Sequence, residues 1–119
     1  MTVKEFYDGI DGDYEGVMSR LMGEQRVIKF AVRFIDDVTF NEFTECYNSG
    51  DIQSAFRAAH TMKGVASNLG FSELFSTASA VTEALRDGTP SSDIESLVSL
   101  MTQSYEKVID ALKEFKAQM

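Results

Sequence analysis

Residues 51–70 read DIQSAFRAAHTMKGVASNLG. Ile52, Ala55, Ala59, Met62, Ala66 and Leu69 follow one another at steps of 3, 4, 3, 4 and 3. That spacing makes one apolar seam on one face of an α-helix. Asp51 can cap its start, and Gly70 stops it. The seam predicts a core helix over 51–69 and sets the fold class as all-α.

One residue of this helix stands off the seam. His60 is the only histidine in the chain. At about 100° per residue it lies roughly 120° from the seam centre, so it faces away from the core. Gln53, Phe56, Arg57, Lys63, Gly64 and Ser67 share its face. Gly64 is one turn away, and a glycine in a helix interior costs roughly 1 kcal/mol relative to alanine. Its missing side chain leaves room beside the imidazole. Lys63, at i+3, can bring an ammonium to an anion on the ring. No acid stands at i±3 or i±4 to orient the ring as in a Ser-His-Asp triad. An exposed neutral imidazole is a nucleophile at pH 7. These neighbours suit an anion carried on His60 better than a general base.

The remaining chain divides into helical pieces. Residues 2–8 read as a short first helix, and Gly9 and Gly12 as a turn. Tyr14, Val17, Met18, Leu21 and Met22 repeat at helical spacing up to Gly23. Residues 24–48 carry a long helical pattern whose first stripe is Val27, Phe30, Ala31, Phe34 and Val38. Its second half shows Phe40, Phe43 and Tyr47 on a rotated stripe. Either this helix bends near Asp37–Thr39 or its two ends pack against different neighbours. Beyond Gly70, Ser72 can open a helix with Leu74, Ala78, Val81 and Leu85 inside. Gly88-Thr89-Pro90-Ser91 is a loop. Ser92 and Glu95 fit a capping box. The last helix shows Ile94, Leu97, Met101, Tyr105, Val108, Leu112 and Phe115 at threes and fours. Short links between long helices favour an up-down antiparallel four-helix bundle with one or two short helices ahead of it, in a single domain over 1–119.

Composition narrows the function classes. The 119 residues carry 19 acids and 11 bases, a net charge of −8. That argues against a nucleic-acid binder, which would show a basic stripe, and disfavours an anionic membrane surface as partner. No stretch approaches the roughly 18 apolar residues of a membrane span. The opening MTVKEFYDGIDGDYEG has no apolar run and does not read as a signal peptide. Cys46 is alone, so no internal disulfide forms, and one cysteine with one histidine makes no ordinary zinc site. Cys46 reads as a small buried hydrophobe, and a cytoplasmic setting is expected.

The stretch Ala58-Ala59-His60-Thr61-Met62-Lys63-Gly64, followed by Ser67-Asn68-Leu69-Gly70, resembles the signature of histidine-containing phosphotransfer (HPt) domains. Ser19-Arg20-Leu21-Met22-Gly23-Glu24 before an aromatic-rich helix, and Ser49-Gly50-Asp51 before the histidine helix, follow the same layout. The resemblance spans roughly residues 10–115. It implies that His60 accepts a phosphoryl group from a receiver-domain aspartate and passes it to a second receiver. Lys63 would neutralise phosphoryl oxygens, and Gly64 would let the receiver close over the ring. Phe56, Arg57 and Ser67 become candidate receiver contacts, while Phe71 is assigned to the core. Magnesium would be held by the receiver and no cofactor by this chain. Partners would be response-regulator receivers or a hybrid histidine kinase, met by a monomer. In many relatives a glutamate or glutamine on the next helix bonds the inner ring nitrogen. Here that place falls near Thr82 and Glu83, and either could orient the ring.

Other readings have less in the sequence. A receiver-binding helical scaffold without phosphotransfer would not need His60, Lys63 and Gly64 together. An autonomous enzyme such as a histidine phosphatase would need a second catalytic group or a glycine-rich phosphate loop, and neither is present. The dimerisation helix of a kinase carries an acid and then threonine-proline after its histidine, whereas Thr61 follows His60 here.

Overall fold

A computed structural model describes residues 1–119. It is all-helical: α1 (Val3–Gly9), α2 (Tyr14–Leu21), α3 (Glu24–Arg33), a 3₁₀ turn (Phe34–Asp36), α4 (Thr39–Asn48), α5 (Ile52–Leu69), α6 (Ser72–Leu85) and α7 (Ile94–Ala117). Helices α4, α5, α6 and α7 pack in sequence order through short links, and α7 closes the bundle against α3, the 3₁₀ turn and α1. Helix α5 is central. Ala55, Ala59, Met62, Ala66 and Leu69 are buried as the seam requires, and Ile52 is half-buried. Four alanines on α5 (Ala55, Ala58, Ala59 and Ala66) are buried. Small side chains there let α4 and α6 come close on either side. Asp51 caps α5 through the Ser54 amide at 3.2 Å.

The long pattern over 24–48 is broken. Helix α3 ends at Arg33, a 3₁₀ turn follows, and Asp37 is extended at φ −69° and ψ 131°. The Asp37 carboxylate accepts the Thr39 amide at 2.8 Å. An aspartate that takes a nearby amide offers the backbone an alternative to continuing the helix. The break decides which stripe residues are buried. Val27, Ala31, Phe34 and Phe43 enter the core, while Phe30 is 38% and Val38 58% exposed.

Three other expectations are corrected. Met22 does not continue the α2 repeat; it is the left-handed C-cap of α2 and 77% exposed. The Ser92–Glu95 capping box does not form. Asp93 precedes the first residue of α7, no side chain caps the helix, and the Asp93 carboxylate accepts the Ser91 hydroxyl instead. Cys46 is half-buried at the edge of the core, not inside it.

The N-terminal helices seat against the end of α5. Phe6, Tyr7 and Phe71 form an aromatic cluster with Phe34, with ring centroids 5.0–6.1 Å apart. Two glycines make the approach possible. A Cβ on Gly12 would meet the Gly70 carbonyl at 2.8 Å, and one on Gly70 would meet the Asp13 carbonyl at 2.9 Å. Gly70 also holds φ +74°, a conformation that side chains disfavour.

Candidate functional site

His60 sits in the middle of α5 and is exposed, as the wheel predicts. Its face collects the expected residues. Arg57, Gly64 and Ser67 are exposed, and Phe56 and Lys63 are half-buried. No atom lies within 4 Å of a Cβ built on Gly64. The gap beside the imidazole is therefore open to solvent on this isolated chain. The surrounding helix has no acid from Ile52 to Ser72, yet carries Arg57 and Lys63. On a chain of net charge −8 this is a local cationic strip.

The ring's near neighbour is aromatic. The Phe56 ring lies 6.2 Å from the imidazole, centroid to centroid, tilted by 47°. The Arg86 guanidinium stands over the Phe56 ring, 5.3 Å from its centroid. Arg86 is the C-cap of α6 and forks onto the Glu83 carboxylate at 2.6 and 3.0 Å. These bonds hold the Glu83 carboxyl below the usual carboxylate range, with a smaller contribution from the charge of Lys63. The Glu83 carboxylate is thus already matched by Arg86. As an exposed ion pair it adds little to stability. Its consequence is local: the Glu83 charge is answered before it reaches the histidine face.

The expected ring-orienting pair does not act that way here. Thr82 is fully buried, and its hydroxyl donates to the Ala78 carbonyl one turn back at 2.7 Å. Glu83 is committed to Arg86. The His60 ring has no hydrogen bond to another side chain or to the backbone, so neither Thr82 nor Glu83 bonds its inner nitrogen. The reason is geometric. Thr82 turns into the α6 core face with Val81 and Leu85, and a residue further along α6 draws Glu83 away. Phe71 is core, 1% exposed, packed against Phe6, Tyr7 and Phe34.

Three residues at or near this helix were not legible as such in the sequence. Arg86 could have been suspected from its i+3 spacing to Glu83. Tyr7 and Arg20 bond the far end of α5 from 62 and 47 residues away, and no local pattern announces that. No group of three or more His, Cys, Asp or Glu side chains is placed to hold a metal ion. No helix is long and apolar enough to cross a membrane.

Comparison with protein families gives one match: the family model described as Hpt domain covers residues 24–117, nearly four-fifths of the chain. No curated protein and no solved structure matches the chain significantly.

Proposed function

The chain belongs to the Hpt domain family, and from that premise we propose that it is a phosphorelay intermediate in which His60 is the phosphorylated residue. Membership implies histidine phosphotransfer in phosphorelay signalling. His60 is the only histidine in the chain. The observation that carries the reading is the exposed imidazole next to an empty space at Gly64.

In the proposed transfer an outer ring nitrogen of His60 attacks the phosphorus of an aspartyl phosphate on a receiver domain. The new bond is N–P; the bond that breaks is P–O, and the aspartate carboxylate leaves. The reverse step, onto a second receiver, passes the group on. Such a transfer demands mainly alignment and charge stabilisation. Gly64 supplies alignment by letting a second protein's loops approach the ring. Lys63 supplies charge, as an ammonium on the same face one turn away. The Phe56 ring neighbours the imidazole, and the Arg86 guanidinium stands over Phe56. Phe56, Arg57 and Ser67 border the ring and are proposed receiver contacts. Magnesium belongs with the receiver, this chain acts as a phosphocarrier and not as a kinase or phosphatase, and the working unit is a monomer. A cytoplasmic location fits a partner of that kind.

Incubation with a phosphorylated receiver domain tests the reading. We expect an acid-labile, alkali-stable phosphate on the wild-type chain and none on His60→Gln. A phosphate that survives this substitution overturns the assignment. Binding of receivers without any movement of phosphate would support a scaffold instead.

A further inference from the structure

Four consecutive carbonyls at the end of α5 accept hydrogen bonds from outside the helix, that of Ser67 in addition to the Gly70 amide at 3.2 Å. The Ser67 carbonyl accepts from Arg20 Nη2 at 2.9 Å, and the Asn68 carbonyl from Arg20 Nε at 3.3 Å. The Leu69 carbonyl accepts the Tyr7 hydroxyl at 2.6 Å, a buried bond. The Gly70 carbonyl accepts the Asp13 amide at 2.9 Å. A helix leaves its last carbonyls without intrahelical partners, and a cation there complements the helix dipole. Helix α5 has no basic residue of its own in its last turn. Arg20 provides that cation from α2. All three donors come from residues 7–20, which lie outside the family match over 24–117.

The position of this clamp matters because of Gly64. Glycine is the poorest helix former after proline. It stands between His60 and the clamped end, so the turns from Gly64 to Leu69 are the intrinsically weak part of α5. Those turns carry Ser67 and Asn68, which continue the exposed face beyond the open space. A residue chosen for access loosens the surface that a partner would lie on. The bonds from Tyr7 and Arg20 offset that loosening.

We infer that Tyr7 and Arg20 are positioning residues for phosphotransfer: through the carbonyls of Ser67, Asn68 and Leu69 they keep the receiver-facing turns of α5 helical. The inference rests on the phosphocarrier reading above. His60 is two turns from the nearest clamped carbonyl, so the clamp governs how well a receiver docks and not the reactivity of the imidazole.

The test compares wild type with Tyr7→Phe and Arg20→Met, both of which keep side-chain bulk. Hydrogen exchange should quicken about tenfold at the amides of residues 66–71, the change that loss of one ordinary hydrogen bond gives, with α7 amides unchanged. The receiver concentration giving half-maximal transfer should rise about three- to tenfold, the range expected for partial loss of an ordered docking surface, while the saturating rate holds. Phosphorylation by phosphoramidate, a small donor that needs no docking, should proceed at the wild-type rate. Adding Gly64→Ala to Arg20→Met should restore amide protection, since the methyl enters open space. Unchanged exchange at 66–71, or a rise shared equally by α7, overturns the inference. So does a saturating rate that falls together with the phosphoramidate rate. A wild-type chain that takes phosphate from neither donor sinks the phosphocarrier reading itself, and the exchange data then still decide whether the clamp orders α5.

Discussion

Gly64 and Gly70 stand on one helix, six residues apart, and their surroundings are opposite. Around Gly64 there is nothing within 4 Å of where a side chain would begin. Around Gly70 the Asp13 carbonyl, Val17 and the Tyr7 ring crowd in at 2.9–3.4 Å. Gly64 keeps ordinary helical geometry, while Gly70 has a left-handed φ of +74°. One glycine is needed for what is absent from the free chain, the other for what is present in it. On the proposed function, the same residue type serves a partner at one place and the fold at the other. Function and stability would then be separable along a single helix.

Filling the empty space gives the largest expected effect. Gly64→Gln should lower the rate of phosphotransfer from a receiver on the order of 100-fold, because displacement of reacting groups by about an ångström costs that much. Thermal unfolding should stay the same or move up, since glutamine is the better helix former. A drop in melting temperature alongside the lost transfer would break the contrast, because it would mean that Gly64 also serves the fold.

Filling the crowded space should do the reverse. Gly70→Ala is expected to destabilise the chain by about 2–4 kcal/mol, from the left-handed penalty and from parting two backbones that touch. Denaturant unfolding measures it. If the folded fraction transfers phosphate at the wild-type rate, the contrast is sharpened. A stability change below about 0.5 kcal/mol, the range of ordinary surface substitutions, would show that the seat of α1 and α2 on α5 is loose.

The smallest effect is read at high pH. Burial pushes the Tyr7 hydroxyl well above the ordinary tyrosine range. Below about pH 10 the folded and unfolded chains both hold this proton, so Tyr7 adds no pH dependence there. Above it the unfolded chain releases the proton and the folded chain does not. Stability should thus fall as pH rises through and beyond the ordinary tyrosine value. By slope, a full proton difference is worth about 1.4 kcal/mol per pH unit. Tyr7→Phe should flatten this limb. An unchanged alkaline limb in Tyr7→Phe would show that the Tyr7 hydroxyl does not stay protonated against the Leu69 carbonyl.

Much of this was written locally. The seam of α5 reads directly from steps of three and four, because helix periodicity fixes which residues share a face. The same arithmetic turned His60, Lys63 and Gly64 outward together, and the motif around them carried the family. The break inside 24–48 was half legible: the stripe rotated, but only the 3₁₀ turn after Arg33 and the bond the Thr39 amide donates to Asp37 show where the helix breaks. The surroundings of the ring were less so. Thr82 and Glu83 sit at the expected height on α6, yet their bonding goes to Ala78 and Arg86. Short-range competition within α6 decided that.

By itself, then, the sequence determined an all-helical chain with one exposed histidine, a lysine and a gap on its face, since these follow from spacing along one helix. Only the tertiary structure decided that Gly70 is packed while Gly64 is open. It also decided that Tyr7 and Arg20 finish the histidine helix, and that Arg86 stands over Phe56. Those pairings join residues distant in sequence or on different helices. They depend on how the helices are set against one another, which no periodicity within a single segment encodes.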